Sequence, residues 1–462
     1  MKSKLSLALV CGLAISSNVI ADHGSLKSTV ATLKKQNQKQ AKQIESLQQQ
    51  LENVLNRLND KSQSSDIDEA LKKVRGVNSS SKAERKNLDI GVVLQTAVGT
   101  SSERDGEPLQ NLQQGAHDPN KRGFSNRGVE FSISGAVDTN WDAALHLMYE
   151  YDPIEGESKV EIEEAFITSR DFGNNLQLEL GHMHTEFGRI NPRHAHDWTF
   201  MDQPIIHNRV FGGDAMRAPG VRLSWLSPKE RYSEFHFGLQ NPTGETMVSF
   251  LANEEVYGEA NPAGLFTGPA DPNGFVERDV RGIDDMVKLL RWDQAWELDD
   301  NANLKLGLSW LSGPNATGAD ADTTIQGLDL VYKKNWLTDE GDRRALIFEG
   351  EYLERDFDLA GTTTQLEDKG FFGQVSYQKT DKLKYGFRYE KAWAKNGAGI
   401  AADPKRAERE RYSPLVTWKL SEFSQVRLQY NKDDFGLADG GDAESIWLGF
   451  DIAIGAHPAH KF

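Results

Sequence analysis

The 462-residue sequence predicts an all-β fold: a 16-stranded antiparallel transmembrane β-barrel over residues 88–462, preceded by an N-terminal α-helical coiled coil. Three observations lead there. From residue 88 onward, apolar and polar residues alternate with period two in about sixteen runs, each of roughly the ten residues that a tilted membrane strand needs. The connections between these runs alternate between long and short, as in barrels with long outer loops and tight inner turns. Upstream, residues 26–58 place apolar residues at heptad spacing.

Residues 1–21 read as a signal peptide. Lys2 and Lys4 supply the charge, 5–15 the apolar stretch, and Val19-Ile20-Ala21 the cleavage site. The single cysteine, Cys11, falls inside that segment, so the mature chain is expected to carry no disulfide and no thiolate chemistry. Residues 22–60 form the predicted coiled coil, periplasmic if the barrel returns both termini to that side. Val30, Ile44, Leu51 and Leu58 share one core series and Leu26, Leu33, Leu47 and Val54 the other. Asn37 and Gln40 insert a polar layer that fixes register at some cost in stability. At about 1.5 Å per residue the coil is a rod of roughly 50 Å, and it implies an oligomer. Residues 61–87, rich in Ser, Lys and Asp, read as a linker.

The expected strands are 88–98, 127–137, 141–151, 159–170, 175–184, 217–226, 232–240 and 280–292, then 303–311, 323–333, 345–355, 369–379, 383–393, 408–420, 424–431 and 444–455. In the last, Ile446, Leu448, Phe450, Ile452 and Ile454 share a face. The fourth and eighth are poorer, because Glu164 and Asp285 break their apolar faces. Connections 99–126, 185–216, 241–279 and 394–407 are long; 138–140, 171–174, 227–231, 380–382 and 421–423 are short. An even strand count returns both termini to one side. Closure removes the edges that so many strands would otherwise expose.

The formal net charge of −16 argues against nucleic acid as a partner. Outside the extreme N-terminus no apolar run reaches helix-spanning length. No serine pairs convincingly with the inward-read His146 or His236, so an enzyme is not expected.

Signal peptide, heptad coil, about sixteen strands and a terminal Phe462 together resemble the phosphate-selective porin O/P family, with coiled-coil-bearing trimeric porins looking similar. The stretch from Gly188-Arg189-Ile190-Asn191-Pro192-Arg193-His194 to Phe211-Gly212-Gly213-Asp214 is similar to a porin-like subfamily linked with zinc. The resemblance implies a homotrimer in the bacterial outer membrane, contacting its lipid, with one pore per subunit. It also implies that the connection between strands five and six, 185–216, folds inward as the constriction loop.

The expected constriction residues are Arg189, Arg193, His194, His196, Asp197, Asp202, His207 and Arg209, whose opposed charges would focus a field across the passage. Lumen cations expected from strand parity are Arg222, Lys288, Lys305, Arg388 and Arg427. No cofactor is required: His194, His196 and His207 offer imidazoles for zinc, but H-x-H without a well-spaced fourth ligand reads first as polar lining. The expected function is passive diffusion of small hydrophilic solutes or ions, with anion selectivity or a metal link open. The alternative is a structural anchor whose periplasmic coil spaces membrane from cell wall.

Overall fold

A computed structural model of the chain describes residues 88–151, 156–252, 278–338, 341–361, 363, 365–395, 406–435 and 442–455. The signal peptide, coiled coil, linker and terminal Phe462 lie outside the described residues.

Among the described residues, sixteen strands close into one barrel, each antiparallel to its chain neighbours, with the first pairing the last. They are β1 (Leu88–Ser101), β2 (Gly123–Ala136), β3 (Trp141–Tyr151), β4 (Ser158–Ser169), β5 (Leu176–His184), β6 (Arg217–Leu226), β7 (Ser233–Gln240) and β8 (Val287–Asp299). The second half comprises β9 (Ala302–Pro314), β10 (Asp322–Leu337), β11 (Arg343–Asp358), β12 (Gln365–Gln378), β13 (Leu383–Lys395), β14 (Arg409–Ser421), β15 (Ser424–Phe435) and β16 (Ala443–Gly455). Two short helices lie in connections, α1 (Glu107–Leu112) and α2 (Ile205–Phe211).

Alternation places large apolar residues outside. Phe237, Leu290, Leu308, Leu328, Phe348 and Phe387 are each 44–47% exposed, although bulky apolar side chains in water would each forgo about 1.5–3 kcal/mol of burial. Such a belt has a lipid solvent.

Four register shifts interrupt the ladders, and two of these bulges bear on the interior. Gln95 pairs with Gly128 and Thr96 with Asn126, leaving Arg127 as the extra residue of β2. His146 pairs with Glu164 and Leu147 with Ile162, leaving Glu163 as the extra residue of β4. A bulge sets two neighbouring side chains on one side of a strand. Here Glu163 and Glu164 are both buried, and so is Arg127.

The eighth strand departs from expectation by seven residues, beginning at Val287 rather than 280. Residues Ile283–Asp285 form a 3-10 turn in which Asp285 accepts from the Arg281 amide and the Arg278 guanidinium. The misplaced carboxylate was therefore a turn residue.

The interior is not uniformly polar. Toward the long connections, Phe187, Ile206, Val210, Phe211, Met247 and Phe250 pack with wall residues Leu289, Leu311, Ile325 and Leu353 in one buried cluster. Residues of connections 185–216 and 241–252 thus fill that half of the lumen. The polar interior read from strand parity holds toward the short turns.

Candidate functional site

The connection Thr185–Met216 leaves β5, spans the lumen and returns to β6. Its far anchor is Asp202. This carboxylate receives hydrogen bonds from Arg388 of β13, Arg411 of β14 (2.7 Å), and Gln429 and Asn431 of β15 (both 2.8 Å). These strands lie half a barrel away from β5 and β6 in the closed order. Burial alone would raise the Asp202 carboxyl; Arg388 and Arg411 overcome it and hold the group well below the usual carboxylate range. Further along, Arg427 donates to the Trp198 carbonyl at 2.9 Å and pairs with Asp451 at 2.8 Å. Arg127, turned inward by its bulge, donates to the Met201 carbonyl.

The near anchor is a cluster of histidines and glutamates. His194 lies with Nδ1 3.0 Å from Glu163 and Nε2 2.9 Å from Glu164. Glu130 of β2 lies 2.8 Å from His146 Nδ1 and 2.7 Å from His196 Nδ1. The His194 ring stacks on His146 at 4.5 Å and lies 5.1 Å from that of His184. Burial would discharge His194, but Glu130, Glu163 and Glu164 hold it well above the ordinary imidazole value. Beside the cluster, burial opposes a charge on His117, yet Asp214 and Glu150 push it up to about 10.

Upstream of both anchors, Gly188 sits at φ +61° against β11, and a Cβ there would overlap the Glu351 carboxylate at 1.7 Å. Arg189 and Arg193 reach Glu349 at 3.1 and 2.9 Å. Connection 102–122 packs alongside: Asp118 accepts from the Gln203 amide at 2.9 Å, and Arg409 and Arg411 donate to the Leu112 carbonyl.

The expected constriction residues therefore sit on a segment that crosses the lumen, but they divide into groups. Arg189, Arg193 and Asp197 line open space; His194 and His196 gather against Glu130, Glu163 and Glu164; Asp202 is sealed against β13–β15. His207 is a correction. It lies on α2, fully buried, 3.3 Å from Glu351 and against Phe211 and Phe372. Burial, with Arg388 nearby, pushes it down to about 3. It is absent from the histidine cluster because α2 carries it into the apolar half. Arg209 is buried with it, donating to the Ala407 carbonyl at 2.8 Å. Arg222, Arg388 and Arg427 are buried inside the barrel, and Lys305 lines its cavities. Lys288 is a second correction: with β8 starting at Val287, it shares parity with the outward Leu290 and Trp292, while Val287 and Leu289 point in.

The strand residues Glu130, Glu163 and His184 were missed as partners of His194. His184, the last residue of β5, is buried beside the bulge at Glu163. The signal was Glu164 itself, a charge on an apolar face. Also missed was a row in which Ser224 Oγ lies 2.8 Å from His236 Nδ1, with Asp293 3.6 Å from His236 Nε2. Both Ser224 and His236 lie mid-strand, where flanking amides belong to the ladder, and Arg222 and Arg291 are paired with carboxylates. No donor set for an oxyanion is built there.

Two cavities of about 510 and 560 Å³ occupy the lumen toward the short turns, sharing Arg189, Arg193, Tyr232 and Lys305. Their charges are matched: Arg222 with Glu179 and Glu186, Arg291 and Lys305 with Asp293, Arg189 and Arg193 with Glu349.

No family model matches the chain. An uncharacterized protein of Aquifex aeolicus (strain VF5) is 26% identical over 408 residues, spanning 81% of this chain and 80% of that one. Among solved structures, the outer membrane channel DcaP of Acinetobacter baumannii is similar in fold, with a TM-score of 0.53 at 9% identity over 81% of this chain and 99% of that one. An anion-selective porin from Comamonas acidovorans matches with a TM-score of 0.48 at 12% identity, over 80% and 100%. The likeness to DcaP is one of fold: a closed antiparallel β-barrel.

Proposed function

We propose that the protein is an outer-membrane porin for passive diffusion of small hydrophilic solutes, with segment 185–216 setting the passage. The observation that carries this reading is the charged segment stretched across a closed barrel, with polar cavities beneath it. The matched charges of the lining argue for small neutral or zwitterionic solutes over a strong anion preference, because each guanidinium near the cavities already faces a carboxylate. We place the protein as a homotrimer with a periplasmic coil; the heptads support an oligomer and the resemblance to trimeric porins supports three chains, so chemical cross-linking of intact cells should give a ladder ending at three.

A second reading is favoured by the apolar cluster. A half-lumen packed with Phe187, Phe211 and Phe250 suits a barrel that only anchors the coil. Planar-bilayer recording separates the two. Stepwise openings with a small reversal potential in a salt gradient support the porin; silence from folded oligomer supports the anchor.

A further inference from the structure

The near anchor has more ligand chemistry than a hydrogen-bonded loop contact needs. Glu164, His184 and His194 each offer a ligand atom, all within 4.8 Å of one another. They come from three elements: the β4 bulge, the end of β5 and the crossing segment. Two imidazoles and one carboxylate with a fourth position open is a recurrent zinc set. His194 turns Nε2 toward Glu164 at 2.9 Å, while Nδ1 meets Glu163 at 3.0 Å. A carboxylate behind a histidine in this way fixes the ring for a metal.

The independent observation is His184. It is 3% exposed, and neither ring nitrogen has a hydrogen-bond partner. A buried imidazole without partners is costly. Its nearest acidic neighbour, Glu163 Oε1, stands at 3.8 Å from Nε2. Glu130 and His146 also form a ligand group with His194, but both His184 ring nitrogens lack a hydrogen-bond partner, whereas His146 Nδ1 lies 2.8 Å from Glu130. Arg217, the nearby cation, is committed to Glu161 and Asp214.

We propose that Glu164, His184 and His194 bind one divalent cation of the zinc class, with Glu163 and Glu130 orienting His194. The cation ties the crossing segment to the barrel wall. Binding stands apart from the porin reading; only an effect on conductance rests on it.

The test uses the full chain in detergent, stripped with chelator and then given zinc chloride or cobalt chloride. We expect one zinc per chain by elemental analysis, and the intense visible bands of four-coordinate cobalt. His184→Ala and Glu164→Gln should each weaken zinc at least about a hundredfold, and Glu130→Gln about ten- to hundredfold. His182→Ala, two residues away, should bind as the parent does. Heat-modifiable gel mobility certifies the fold of each variant. Substoichiometric zinc in the parent would overturn the proposal. So would unchanged affinity in folded His184→Ala and Glu164→Gln, or loss in His146→Ala alone, which would move the metal to the neighbouring group.

Discussion

Two residues decide whether segment 185–216 can hold its path. Gly188 needs a left-handed backbone and has the Glu351 carboxylate where a Cβ would stand. Gly188→Ala should cost about 1–3 kcal/mol of local stability, read as faster proteolysis of the segment in a barrel that stays heat-modifiable. Asp202 is the harder test. Asp202→Asn removes one of the two carboxylates that Arg388 and Arg411 each face, leaving Glu390 and Asp433, and should cost about 1.5–3 kcal/mol of unfolding free energy. The pH dependence follows from the same ion. Its folded value lies below the ordinary 3.8, so its contribution is complete above that pH and lost as pH falls through and below it. Parent and Asp202→Asn should therefore converge in stability toward strong acid; a constant gap would contradict this role.

At the scale of elements, the two bulges do what regular strands cannot. By turning Arg127 and Glu163 inward they give the crossing segment partners on its near side and its middle. Deleting Glu163 should restore a regular ladder and keep the barrel closed while amide exchange over 190–198 accelerates; unchanged exchange would mean that the bulge does not hold the segment. The strands themselves were largely legible in the sequence, since period two survives wherever one face meets lipid. Fifteen of the sixteen expected strands overlap the observed ones closely, and β8 alone was displaced, because Ile283–Asp285 form a 3-10 turn where a strand was expected. The site was half legible. Arg, His and Asp in a long connection marked the segment, but its wall partners could not be read, because a bulge reverses parity beyond it. Lys288 was misplaced for a different reason: its strand begins only at Val287, after the 3-10 turn.

For the whole molecule, the decisive feature is a lumen divided along its axis. Polar cavities face the short turns, and an apolar core faces the long connections. Sequence could not show that core, because its residues come from connections far apart in the chain and meet only inside the closed barrel. If the core restricts flow, Phe211→Ala with Phe250→Ala should widen the passage and raise unit conductance, at a cost of about 3–5 kcal/mol for each truncated ring. The most direct measurement is planar-bilayer recording of the purified oligomer, parent beside this double variant. The porin account expects stepwise openings in the parent and larger steps in the variant. Folded oligomers silent in both would contradict it and leave the barrel as an anchor for its coil.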